Sequence, residues 1–427
     1  MLQQIRKLKI LRVLFSLSFF ISGIIINLIQ FSLYVSVRPV DKKLYRRLNY
    51  YLIYTLFSQV VAISEWWSGS RVRMFFADEK SRDSHAVDHT LYIMNHRYEL
   101  DWLYAWMVLD KYELDWLYAW MVLDKYESLG SAKSFAKKSL KWLPIIGWGW
   151  VLDEFIFLDR DWKKDSVTLP KALDQLMAYE SPIALLLFSE GTRFTESKYE
   201  NSIAFAKQRG LPQLKYHLLP RTKGFAFCVQ HIKDNYPDAV IYDIQLRFDD
   251  NAIHLPSLTS IVRAKPLSGD LYLRRIPITD VPTDTEEDIN TFLYDLYQKK
   301  DDLMEYHQKN GKFPGILVEK SRRIAPLINW MSWFVFVMIS LSYILLNVFA
   351  SGNLYLIIST TLIFAFALGS VYMMIGSTKI KKGSKYGTKS DNRNKSDSQL
   401  NPNNNLDNNS SLRKRLNENN TSESIEN

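Results

Sequence analysis

Read as apolar and polar positions, the chain falls into stretches of different character. Residues 13–37 (VLFSLSFFISGIIINLIQFSLYVSV) hold no charge and are long enough to cross a hydrocarbon layer of about 30 Å as a helix. Residues 330–350 and 354–375 are also uncharged, separated only by Ser351, Gly352 and Asn353. Two spans joined so tightly are expected to form a hairpin whose ends emerge on one side. Residues 48–67 (LNYYLIYTLFSQVVAISEWW) mix aromatic, apolar and polar positions, the pattern of a helix lying in an interface. Between residues 71 and 323 short apolar runs alternate with helical patterns. Strands are expected at 90–94, 154–158, 183–189, 240–248 and 270–275, and helices at 100–125, 166–178, 201–208 and 286–306. Thr285 and Asp288 stand at capping-box spacing before the last helix. Strands separated by helices predict an α/β domain with a mostly parallel sheet and flanking helices. Beyond residue 387 Asn, Ser and charged residues dominate, too polar to bury a core. The expected organisation is an N-terminal membrane span and interfacial helix (1–70), a catalytic domain (71–323), a transmembrane hairpin (324–378) and a disordered basic, Asn-rich tail (379–427).

Charge adds a direction. The formal net charge is +9. Lys379, Lys381, Lys382 and Lys385 follow the last apolar run, and Lys320, Arg322 and Arg323 precede the hairpin. The positive-inside bias therefore puts the central domain and the tail on the cytosolic side. Around the first run the charges nearly balance, Arg6, Lys7, Lys9 and Arg12 against Arg38, Lys42, Lys43, Arg46 and Arg47, so they do not choose a side for the N-terminus. The run's length, and the lack of a small-residue cleavage site after it, argue against a removed signal peptide. A single cysteine, Cys228, excludes an intrachain disulfide and fits a cytosolic domain.

Candidate chemistry begins at Asn95-His96-Arg97-Tyr98-Glu99-Leu100-Asp101. Residues five apart on a regular helix point about 140° away from each other. If His96 and Asp101 are to touch, the histidine must precede the helix and the aspartate must lie in its first turn. Asp101 could then hold one ring nitrogen and free the other to take a proton. A His and an Asp at this spacing are more often structural. Three further signals sit at strand ends: Glu190-Gly191-Thr192-Arg193, Phe155–Arg160, and Leu218-Leu219-Pro220-Arg221-Thr222-Lys223-Gly224. The glycine lets backbone approach a ligand, and the arginine can grip a phosphate through two parallel hydrogen bonds.

Together these segments resemble the glycerophospholipid acyltransferases, the lysophosphatidic acid acyltransferase superfamily. Residues 95–101 are similar to its HX4D box, 155–160 to its second block with Phe157 and Arg160, 190–193 to its EGTR block, and Pro220 to its fourth block. The likeness runs through residues 91–314, including EGTRFTE, LKYHLLPRTKGF and GKFPG, and reappears in MIGSTKIKKGSKYG. It points to the eukaryotic long-chain subgroup with C-terminal hydrophobic spans. The resemblance implies a glycerol-3-phosphate acyltransferase-like fold, with His96 as general base and Asp101 orienting it. It implies that Gly191, Thr192 and Arg193 bind the acceptor phosphate, that Glu190 holds their loop, and that Arg160, with Lys137 or Lys138, adds positive potential. The implied partners are acyl-CoA as co-substrate, a lysophospholipid and the bilayer of the endoplasmic reticulum, in a multi-pass arrangement, with no further cofactor and no nucleic acid. Arg193 favours the compact phosphate of lysophosphatidic acid. The NHR and DW phrases also resemble the lysocardiolipin branch, so lysocardiolipin and lysophosphatidylinositol stay open as acceptors.

Residues 98–111 recur letter for letter as 112–125. Five residues before Asp115 stands Asp110, so the copy cannot form a second HX4D box, and a recent duplication or a gene-model error is the expected origin. Other chemistries fit poorly. His85, His89 and His96 lack the spacing of a zinc helix, Ser189 lacks a glycine-flanked elbow, and Cys228 has only His231 nearby. An inactive membrane scaffold need not retain His96, Asp101, Glu190 and Arg193.

Overall fold

The computed structural model describes residues 9–84, 88–111, 129–179, 181–248 and 256–377; the second copy at 112–125, His85 and the tail lie outside them. The helices are α1 (Lys9–Ser36), α2 (Lys42–Ala62), α3 (Glu79–Asp83), α4 (Asp101–Lys111), α5 (Ile146–Leu152), α6 (Trp162–Met177), α7 (Glu196–Arg209), α8 (Thr222–Asn235), α9 (Leu258–Val262), α10 (Glu286–Asn310), α11 (Ile324–Ala350) and α12 (Leu354–Ser377). The strands are β1 (Arg71–Phe76), β2 (Thr90–Met94), β3 (Ala132–Lys137), β4 (Ile156–Leu158), β5 (Ala184–Leu187), β6 (Val240–Phe248), β7 (Ser268–Pro277) and β8 (Ile316–Val318).

The strands form one sheet in the order β4-β3-β5-β2-β6-β7-β1-β8. Its centre is parallel from β4 through β6, and β7 and β1 are also parallel. β6 and β7, however, run antiparallel over a long register, as do β1 and β8. The sheet is mixed, which alternation of strands and helices could not reveal, because a periodic apolar run carries no sign of its direction. Glu154 and Phe155 fall outside β4. Glu154 sits instead at φ 55°, turning the chain into a strand shorter than expected.

Period-two alternation divides the core. Tyr92 and Met94 of β2, Leu186 of β5 and Tyr242, Ile244 and Leu246 of β6 join one cluster with α4 and the N-terminal helices. Leu91, Ile93, Leu185 and Ile241 face the other way onto α6, α8 and α10. Each such side chain, removed from water, stabilises the fold by about 1.5–3 kcal/mol. The capping box at Thr285 and Asp288 is formed.

α1 and α11 are long and apolar enough to cross a membrane, and Leu354–Ala367 of α12 is a shorter apolar stretch. α11 exposes Val335, Phe336, Ile339, Leu346 and Phe349. α1 is different, with one face inside the protein. Ser22 Oγ donates to Gln59 Oε1 at 3.0 Å, Asn27 Nδ2 to Gln30 Oε1 at 2.9 Å, and Gln30 Nε2 to Asn49 Oδ1 at 2.8 Å. The first and third of these bonds pair α1 with α2 in antiparallel order, and the second steadies Gln30 within α1. The interfacial helix expected at 48–67 therefore begins earlier, at Lys42, capped by Asp41, and is a packing partner of α1. Beyond Ala62 it continues as one wider turn, Ile63–Trp67.

Candidate active site

β2 delivers the chain to the parallel centre of the sheet, where strand ends leave open backbone. Asn95 is buried, and its amide copies a strand bond, donating to Leu246 O at 3.0 Å and accepting Leu246 N–H at 2.8 Å. This fixes the exit of β2. His96 follows, and α4 starts at Asp101. The aspartate accepts the Tyr98 N–H on Oδ2 at 3.0 Å and lies 3.0 Å from His96 Nδ1 through the same oxygen. Phe188 stacks on the imidazole at 4.2 Å. Asp101 is wholly buried, while the His96 side chain keeps 21% of its exposure. With the carboxylate on Nδ1, the proton belongs there, and Nε2 carries the lone pair.

Burial lowers the His96 pKa to about 3. Glu190 opposes this, and the charges of Arg193, Arg160 and Lys198 push the same way as burial. The ring is thus neutral near pH 7. Burial raises the Asp101 carboxyl, opposed by the backbone N–H groups of Tyr98 and Arg97.

The loop after β5 is laced to this turn. Glu190 accepts the His96 N–H on Oε1 at 2.9 Å and the Leu218 N–H on Oε2 at 3.3 Å. Phe194 N donates to His96 O at 2.7 Å, and Arg221 N to Ser189 O at 2.8 Å. Gly191 has φ 69°, a left-handed backbone that favours glycine, and a β-carbon there would press on the Arg221 side chain, 2.8 Å from its Cδ. Lys198 Nζ donates to Thr192 Oγ1 at 2.7 Å. Arg97, inside the box, turns away to Tyr216 O at 3.1 Å and lies over the Phe194 ring.

The structure brings His96, Asp101, Glu190, Gly191, Thr192 and Arg193 together. Arg160, exposed at φ 62° just past β4, adds its charge to the same place. Phe157 is half-buried in β4, packed against the first core cluster, and Pro220 is buried beside Arg221. Glu190, expected to hold the loop, is 3% exposed, accepts a backbone N–H on each oxygen and so ties two loops. Lys138 is paired with Asp159 at 2.7 Å. Lys198 was missed, because a lysine in a helix's first turn reads as a solvated residue. His217 was missed too. It is buried between Asp301 and Gln245, Nδ1 2.6 Å from Asp301 Oδ1 and Nε2 3.0 Å from Gln245 Oε1, and braces the loop that feeds Leu218 to Glu190. Among the described residues no group of three or more His, Cys, Asp or Glu is arranged for a metal; His89 accepts the Ile183 N–H. Burial pushes the Cys228 thiol up to about 12, far from a reactive thiolate.

Residues 77–245 match the family described as Acyltransferase, and residues 260–333 match Acyltransferase C-terminus. The chain is similar to 1-acyl-sn-glycerol-3-phosphate acyltransferase gamma of Homo sapiens, 38% identical over 378 residues, 88% of this chain and 95% of that protein. The delta enzyme of Rattus norvegicus is 36% identical over 369 residues, 86% of this chain and 92% of its own. The crystal structure of the 1-acyl-sn-glycerophosphate (LPA) acyltransferase PlsC from Thermotoga maritima aligns with 70% of this chain and 97% of that one at 14% identity. Its TM-score is 0.38, a likeness too loose to carry an argument.

Proposed function

The chain belongs to the 1-acyl-sn-glycerol-3-phosphate acyltransferases, and from that premise we propose that it moves an acyl group from acyl-CoA to the sn-2 hydroxyl of lysophosphatidic acid, with His96 as general base. The observation that carries this reading is a neutral imidazole held by a buried carboxylate beside a loop lined with cations. His96 Nε2 takes the hydroxyl proton as the oxygen attacks the thioester carbonyl. The C–S bond then breaks, and the CoA sulfur recovers the proton from the imidazolium. The products are phosphatidic acid and CoA. Asp101 keeps the ring's tautomer and steadies its transient charge. No covalent acyl-enzyme is required.

Gly191, Thr192 and Arg193 receive the acceptor phosphate, with Arg160 adding to the field. Tight gathering of positive charge around the loop supports lysophosphatidic acid over acceptors whose phosphate is esterified twice. Attachment to the endoplasmic reticulum membrane through α1 and α11, with the α/β domain in the cytosol, fits the apolar lengths and the flanking lysines and arginines. The test is an assay on membranes from cells expressing the chain, offering oleoyl-CoA with lysophosphatidic acid, lysophosphatidylinositol or lysocardiolipin. We expect transfer mainly to lysophosphatidic acid and a loss of at least about 10²-fold in His96→Ala, the scale of positioned proton transfer. Full activity in that variant removes the base assignment.

A further inference from the structure

Lys198 stands in the first turn of α7 and turns its ammonium back over the loop, donating to Thr192 Oγ1 at 2.7 Å and to the Arg193 carbonyl at 3.2 Å. The Arg221 side chain lies against Gly191 of the same loop, its Cδ and Nε 2.8 and 3.0 Å from the place of a β-carbon. Two cations thus clasp the loop. Burial lowers the Lys198 pKa, and the charges of Arg193, Arg160 and Arg221 push the same way. Near Arg193 the acids are Glu99 and Asp101, and Asp101 is engaged with His96. Four cations thus converge where the reaction needs one phosphate.

We propose that Lys198 and Arg221 complete the headgroup site and select a phosphomonoester dianion over a phosphodiester monoanion. The inference deepens the acyltransferase reading and rests on it. A phosphomonoester offers a second negative charge and a third terminal oxygen. Arg193 can fork onto two oxygens, which leaves one for a point-charge donor. Lysine suits that place, since its ammonium keeps one N–H beyond the two given to Thr192 and the Arg193 carbonyl. A diester lacks that oxygen and that charge, and leaves the clasp uncompensated.

The test uses the full-length chain in detergent micelles with one acyl-CoA. sn-Glycerol 3-phosphate and its methyl diester serve as headgroup-only competitors of lysophosphatidic acid. In the unaltered protein the monoester should inhibit at least about 10-fold more tightly than the diester, the scale of one charge-assisted hydrogen bond. Lys198→Gln should close that gap and raise the acceptor KM about 10-fold or more, leaving the KM for acyl-CoA within about twofold. Lys198→Arg should restore the gap, and Arg221→Gln should narrow it. The proposal is overturned if the unaltered protein does not distinguish the two competitors. It is also overturned if Lys198→Gln weakens both equally, or lowers kcat with the gap intact, which would leave the lysine as a brace of the loop. A protein that transfers no acyl group to lysophosphatidic acid sinks the proposed function. One that transfers it while Lys198→Gln keeps the gap sinks only this inference.

Discussion

Under the proposed mechanism His96 acts as a base only while it is neutral, and its surroundings favour that form at any pH a cell meets. Its pKa is moved from 6.5 down to about 3, first by burial and then by three cations. Because the shift is downward, the acid limb set by this group moves to lower pH. At saturating acceptor, kcat is expected to hold between about pH 7.5 and pH 6, where an unshifted histidine would be roughly three-quarters protonated. A fall in kcat centred near 6.5 in a pH–rate profile would show an ordinary, solvated imidazole. The pairing with Asp101 was legible in the sequence because a five-residue spacing works only across a helix start. Lys198 was not, since its meaning depends on a loop that folds back over it. Nor was Lys133, a lysine that reads as surface but lies 1% exposed in β3, 2.6 Å from Asp153.

At the scale of elements, the site is a junction of three loops, and Glu190 is where they meet. Both oxygens of its buried carboxylate hold backbone N–H groups, one before α4 and one before α8. Glu190→Ala leaves two donors without partners, each costing about 1–3 kcal/mol. The expected result is a lower melting temperature together with a lower kcat. Glu190→Gln, which retains one carbonyl acceptor, should lose less of both. Unchanged melting in Glu190→Ala, read by differential scanning fluorimetry, would mean that the loops hold their places without it. Long runs such as β6 and α10 were legible from periodicity alone. β1, β8 and α5 were not, being short or charged enough to resemble connections. The antiparallel return of β7 was hidden because strand pattern has no polarity.

For the whole molecule, the duplicated segment poses the sharpest question of economy. The first copy already fills both of its structural places. Lys111 meets Glu65 at 2.8 Å in a buried pair, and Asp110 meets Arg323 at 3.2 Å at the start of α11. Removing residues 112–125 joins Lys111 to Tyr126 and restores the order Asp-Lys-Tyr-Glu-Ser that now follows the second copy. The shortened chain is expected to keep its melting temperature and its acyltransferase rate within about twofold, a change worth under about 0.5 kcal/mol. Loss of activity in a well-expressed deletion would give the copy a role of its own.

The bonds from Ser22 and Gln30 to α2 have a bearing on how the enzyme meets its lipid. An anchor stitched into the catalytic body is no leash: it allows the cleft no swing. Under the proposed attachment, the orientation of His96 toward the leaflet is set once, on folding, and each acceptor reaches it by drifting sideways within the bilayer instead of arriving from water.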